Sequence, residues 1–174
     1  MSRICLITGV MASGKSSVAQ RVAGSLPRAV HLCGDVFRRM IVSGRMDMSE
    51  NAPPEALEQL RLRYRLTADA ARAYHAAGFD VIAQDNYYGE MLPYMLNLLD
   101  GLPVLTVVLC PSIEAIAARE RARDKKGYGG FAIAPLYDSF LRETPRIGLW
   151  IDSTHQTVDE TARAVLRAME NHFR

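Results

Sequence analysis

Long apolar runs are missing from this 174-residue chain, and none approaches the roughly 20 residues that a membrane-spanning helix needs. Its first apolar stretch, "ICLIT", is too short and wrongly flanked for a secretory signal. Cysteine is scarce as well. Cys5, Cys33 and Cys110 are odd in number, lie in separate apolar runs and lack the paired spacings of zinc sites or disulfide frameworks. They read as buried thiols suited to a reducing cytoplasm. Nor is there an excess of one charge: 21 Lys and Arg against 19 Asp and Glu leave a net +2. That gives no reason to expect non-specific binding to nucleic acid or a membrane, and neither is an expected partner. Repeats and low-complexity segments are absent. What remains, 49% hydrophobic and 23% charged residues, is ordinary globular composition in a length suited to one domain over 1–174.

Short apolar runs alternate with longer amphipathic ones. The strands expected are "RICLIT", "AVHLC", "FDVIAQ", "PVLTVVLC" and "IGLWID". Between them, Val18, Val22 and Leu26 mark a helix that stops near Pro27, and Leu57, Leu60, Tyr64, Ala68 and Ala71 form one stripe of a long helix from about 54 to 77. Gly78 suits the position just past that helix. A further helix follows Pro111, and the last opens at "TVDE", where Thr157 and Glu160 have capping-box spacing. Alternation of this kind predicts an α/β fold with a doubly wound, five-stranded parallel sheet and ligands at the carboxyl ends of its strands.

The turn after the first strand reads "GVMASGKS" over residues 9–16, fitting G-x-x-x-x-G-K-[ST]. Chance alone produces that pattern roughly once in a few hundred chains of this size. The strand before it and the helix after it supply the required context. In such a loop Gly9, Val10, Met11, Ala12, Ser13, Gly14, Lys15, Ser16 and Ser17 wrap the phosphates with backbone N–H groups at a helix N-terminus. Lys15 then reaches the β- and γ-phosphates and the Ser16 hydroxyl meets Mg²⁺. A nucleoside triphosphate, ATP with magnesium, is the expected ligand. A switch GTPase would also need D-x-x-G after its third strand and N-K-x-D; neither is present. The length is too short for a helicase core, and a small kinase fits better.

Past the second strand, "GDVFRRM" places Asp35 where a carboxylate faces the phosphates. Two compatible readings stand: general base for an acceptor hydroxyl, or N-cap of the next helix. Arg38, one turn on, is a candidate for holding the acceptor. Asp85 ends the third strand, where it could hold a metal-bound water, orient the acceptor or merely close a turn. "NYYGEMLPYM" then brings Tyr87, Tyr88, Met91, Tyr94 and Met95 together, either as core or as an apolar acceptor wall in which Tyr88 is the candidate contact. Finally, Arg119 and Arg123 share a helix face in "RERARDKKGYGG", with Lys125 and Lys126 beyond; a basic flap over about 119–135 would cover the triphosphate and exclude water. A solvated helix end is the plainer reading.

In these motifs and their order, the chain resembles small P-loop kinases of the chloramphenicol phosphotransferase type, relatives of adenylylsulfate, gluconate and shikimate kinases. The likeness rests on "GVMASGKSS", the "GD" after the second strand, "AAGFDVIAQD", "RERAR" and "DSTHQTVDETA". It implies that Asp35 is the base, that Arg119 and Arg123 belong to a helical lid, and that Ser153 and Thr154 lie beside the adenine. It implies transfer of the γ-phosphate to a hydroxyl of a small molecule. Segment 36–75 should cover the acceptor, but "RMIVSGRMDMSENAPPEAL" departs from the family's pattern, so antibiotic, metabolite and nucleotide all stay open. Two other classes stand beside this one: a nucleotide sensor without turnover, and a nucleic-acid end kinase, which would need a basic groove.

Overall fold

Five parallel strands, β1 (Ile4–Thr8), β2 (Ala29–Cys33), β3 (Asp80–Gln84), β4 (Val104–Leu109) and β5 (Leu149–Ile151), form one sheet in the order β2-β3-β1-β4-β5. This is a computed structural model describing residues 2–122, 127–128 and 131–174. Around the sheet lie α1 (Lys15–Gly24), α2 (Asp35–Met40), α3 (Pro54–Ala76), α4 (Met91–Leu98), α5 (Ile113–Ala122), α6 (Ile133–Glu143) and α7 (Val158–His172).

The central strand explains the two-layer cover. Every residue of β1 is buried. Cys5 and Ile7 pack with Val18 and Val22 of α1 and Val165 and Met169 of α7. On the other face Ile4 and Leu6 pack with Tyr64, Ala68 and Ala71 of α3 and Leu92 of α4. A strand apolar on both sides can only sit inside such a sandwich, and each large aliphatic side chain fully buried there stabilises it by about 1.5–3 kcal/mol. Register is continuous: Ile4 lies beside both Val81 and Val104, and Ile7 beside both Gln84 and Val107. The loop after β1 therefore emerges at the middle of the sheet, between those after β3 and β4.

Helix ends follow the sequence signals. Past α3, Gly78 takes φ +82° and its N–H bonds the His75 carbonyl, closing the turn. Thr157 and Glu160 form both halves of the capping box of α7. One expected strand is shorter than its apolar run, and one helix lacked a sequence signal. The fifth strand is three residues long because the chain first turns at Gly148, packed so close to β4 that a Cβ would stand 2.2 Å from the Thr106 carbonyl. Helix α6 went unrecognised: Pro135 in its first turn and the preceding "GYGG" disguise it, yet it buries Phe140 against Val108 and Ile116. Among the described residues, no helix is long and apolar enough to cross a membrane.

Candidate active site

At the carboxyl end of β1 the backbone does what its glycines allow. Gly9 has φ +149°, and a Cβ on it would lie 2.5 Å from the Leu109 carbonyl and 2.7 Å from Ser13 Oγ. Gly14 caps α1 with φ +96°. Between them Ser13 N–H donates to the Val10 carbonyl at 3.2 Å. Lys15 is buried, with Nζ 3.1 Å from the Val10 carbonyl, while Ser16 and Ser17 are exposed on the first turn of α1. The result is a concave, cationic loop at a helix N-terminus, suited to phosphate.

One cleft of about 1630 Å³ runs from this loop across the sheet. It brings together Lys15, Ser16, Asp35, Arg38, Asp85, Tyr88, Arg119 and Ser153. Thr154 is not among the residues lining it; its hydroxyl accepts the Ser112 N–H at 2.7 Å and donates to Asp152, fastening the loop after β5 to the start of α5. Arg123, like Lys125 and Lys126, lies outside the described residues.

Asp35 is the first residue of α2. Gly34 occupies the cap position and no side chain caps the helix, so the N-cap reading does not hold. Its two oxygens each face an arginine: Arg38 Nε donates to Oδ1 at 2.7 Å, and Arg39 Nε stands 3.3 Å from Oδ2. Arg38 also donates to Asp47 at 2.7 Å, and its guanidinium is held well above its ordinary pKa, chiefly by the Asp35 hydrogen bond. The carboxylate is thus oriented from within its own helix.

Asp85 is buried at the end of β3. Its Oδ1 accepts from Arg63 Nη2 and from the Asn86 N–H, and its Oδ2 has no hydrogen-bond partner. Arg63 was missed in the sequence. Its signal was a charge on an otherwise apolar helical stripe, with Ala56, Leu60, Thr67 and Ala71. The tyrosines divide as both readings allowed: Tyr87 and Met95 are core, whereas Tyr88 and Met91 line the cleft. Burial, then the Asp85 charge, pushes the Tyr88 phenol up to about 12, so it presents a neutral O–H to the cleft.

Arg119 joins the phosphate-loop motif to the loop after β5. Nη1 donates to the Ser13 carbonyl at 3.1 Å and Nη2 to the Ser153 carbonyl at 2.7 Å. Beside it Glu120, buried, accepts the Gly127 and Tyr128 N–H groups, and the Tyr128 hydroxyl donates to the Met11 carbonyl at 2.8 Å. The chain after α5 is therefore anchored to the phosphate loop itself. Neither Glu120 nor Tyr128 carried a sequence signal, because both act through backbone groups.

The sequence pattern of the family described as "Chloramphenicol phosphotransferase-like protein" matches residues 2–170. No curated protein matches the chain in sequence. Among solved structures, an unliganded sugar kinase from a Janibacter species aligns with a TM-score of 0.72 at 21% identity, covering 98% of this chain and 95% of that one. The Mycobacterium tuberculosis APS kinase, in complex with AMPPNP and APS, gives 0.71 at 18% identity over 97% and 98% of the two chains. A tunicamycin resistance protein from Deinococcus radiodurans gives 0.69 at 17% identity over 96% and 95%. At these identities the likeness is one of fold, that of the P-loop kinases.

Proposed function

This chain belongs to the chloramphenicol phosphotransferase-like family, and from that premise we propose that it transfers the γ-phosphate of ATP to a hydroxyl of a small, uncharged molecule, with Asp35 as general base. One observation carries the reading: a single cleft holds the phosphate loop with Lys15 at one end and an oriented carboxylate, Asp35, across from it.

The acceptor hydroxyl gives its proton to Asp35 as its oxygen bonds the γ-phosphorus. The bond from that phosphorus to the bridging oxygen breaks, and ADP leaves with the electron pair. Lys15 and the loop N–H groups hold the charge on the phosphates throughout. Arg38 and Arg39 keep the Asp35 oxygens aimed, and a base so placed accelerates transfer by about 10²–10⁴-fold. Among the described residues no cluster of His, Cys, Asp and Glu is arranged to hold a metal by itself. The Ser16 hydroxyl at the cleft, together with the nucleotide's own phosphates, fits the way magnesium binds at such loops. Bound there, magnesium would neutralise phosphate charge.

The acceptor end of the cleft argues for a neutral ligand. Its arginines already face carboxylates: Arg38 between Asp35 and Asp47, Arg61 on Glu58, Arg63 on Asp85. Its remaining wall is largely apolar, with Phe37, Ile41, Met46, Met48, Leu60 and Met91. An anionic acceptor would find no uncommitted cation among these three. An amphiphilic alcohol, such as a neutral antibiotic or metabolite, would bury apolar surface there.

A γ-phosphate transfer screen over hydroxylated compounds, with products identified by mass, tests the reading. Neutral, partly apolar alcohols should be phosphorylated, and APS, gluconate and shikimate should not. ATP binding without turnover on any acceptor would instead identify a nucleotide sensor.

A further inference from the structure

Gly34 has an ordinary helical backbone, φ −58° and ψ −28°, which any residue adopts. Conformation therefore does not require glycine there. Space does. A Cβ on Gly34 would stand 2.0 Å from Asp85 Oδ2, 2.9 Å from its Cγ and 3.4 Å from its Cβ. The Asp85 carboxylate lies directly against the residue that precedes Asp35. The Gly34 N–H also donates to the Gln84 carbonyl at 3.2 Å, so the turn into α2 rests on the end of β3 through one hydrogen bond and one close contact.

The group beneath it is held hard. Arg63 and Asp85 form an ion pair with side chains 11% and 4% exposed. Burial pulls the Arg63 guanidinium down, but the Asp85 charge and hydrogen bond outweigh it and keep the pKa above its ordinary value. Stability is a poor reason for such a pair, because desolvation offsets its attraction and apolar residues of similar volume usually serve as well. The orphan Oδ2 adds to the cost. What the pair does provide is a rigid stop under the base.

We propose that Arg63 and Asp85 are positioning residues for phosphate transfer: Arg63 clamps the Asp85 carboxylate beneath Gly34, and the carboxylate sets the height at which the Gly34–Asp35 turn presents Asp35 to the cleft. The inference rests on the reading of Asp35 as base. A displacement of about 1 Å at such a group costs on the order of 100-fold in rate.

Four proteins test it: wild type, Gly34→Ala, Asp85→Ala and the double variant. Gly34→Ala adds one methyl group, so kcat should fall about 100-fold while ATP affinity by calorimetry stays unchanged. Its amide at position 34 should exchange faster as the bond to Gln84 is lost. Asp85→Ala alone should lower kcat about tenfold. In the double variant the carboxylate is gone, and the new methyl meets only the Cβ left at position 85. That protein should regain about tenfold in kcat over Gly34→Ala, together with amide protection. Independent losses that multiply, with no return of protection, would overturn the proposal and favour Asp85 as a ligand for a metal-bound water. If Gly34→Ala does not fold, Arg63→Gln and Arg63→Lys replace it: the first should lower kcat at unchanged ATP affinity, and the second should restore most of it. Equal losses in those two would sink the idea. Should wild type phosphorylate no acceptor, the proposed function fails by itself. Amide exchange at position 34 still decides the coupling, since unaltered protection in Gly34→Ala overturns it.

Discussion

The two ends of the cleft are built in different ways. At the nucleotide end the contacts come from consecutive residues and from the backbone: Gly9, Gly14, Lys15 and Ser16 lie within one turn, and Arg119 and Tyr128 reach that turn through carbonyls. At the acceptor end they come from side chains far apart in the chain, Asp35, Arg63 and Asp85, each tied by charge to another. Methionines and leucines there stay partly exposed, Met46 at 43%, Met48 at 38%, Leu62 at 40% and Leu66 at 39%. A phosphate is the same in every nucleotide, so a backbone cradle suffices. An acceptor varies, and only side chains can follow it.

Separate damage to each end should therefore be possible. The largest effect is expected from Asp35→Asn, which keeps the size of the side chain at the first position of α2. Transfer should fall by about 10²–10⁴-fold with ATP affinity intact; parallel calorimetry and transfer assays check it, and retained transfer removes Asp35 from the chemistry. Lys15→Ala damages the other end, at a cost of about 2–4 kcal/mol in transition-state stabilisation. Wild-type transfer by that variant, correctly folded, would dismiss the cradle.

Arg119→Ala tests the link between the phosphate loop and the loop after β5. Losing two charge-assisted bonds to the Ser13 and Ser153 carbonyls should weaken nucleotide binding by about 1–3 kcal/mol, with a smaller change in melting temperature. A variant that melts early yet binds ATP normally would make the bridge a strut only.

The smallest effect concerns β2, the edge strand that leads to Asp35. His31 has Nδ1 2.9 Å from Gln20 and an Nε2 buried without a hydrogen-bond partner, and burial lowers its pKa. The unfolded chain then binds the proton more readily, so the stability from the neutral ring is present above the ordinary imidazole pKa of about 6.5 and is lost as pH falls through the lower, folded value. Melting temperature should drop between about pH 7.5 and 5.5, and less so in His31→Gln. Identical slopes would clear His31 of any part in acid sensitivity.

Legibility in the sequence follows the same division. The strands around β1 showed as continuous apolar runs, and the cradle as a spaced motif, because both are local. That Asp35 would stand at the cleft was legible from its place after β2. Its neighbour's role was not: Gly34 looks like a turn glycine until Asp85, fifty-one positions on, is seen against it. Arg63 showed only as a charge on a buried stripe. Thr154 was placed by resemblance, and the hydrogen bond that occupies its hydroxyl belongs to Ser112, forty-two positions away.

The order of β1 in the sheet bears on how the protein is made. The cradle is synthesised before the strands that flank it, so its central strand has no lateral partner until β3 and β4 are made. Gly9 closes against the Leu109 carbonyl, and the Ser13 carbonyl waits for a residue 106 positions later. Long-range pairing of this kind is slow and comes late. A nascent chain stalled before β4 should therefore fail to be retained on immobilised ATP, and nucleotide capture becomes a signal that translation has passed β4.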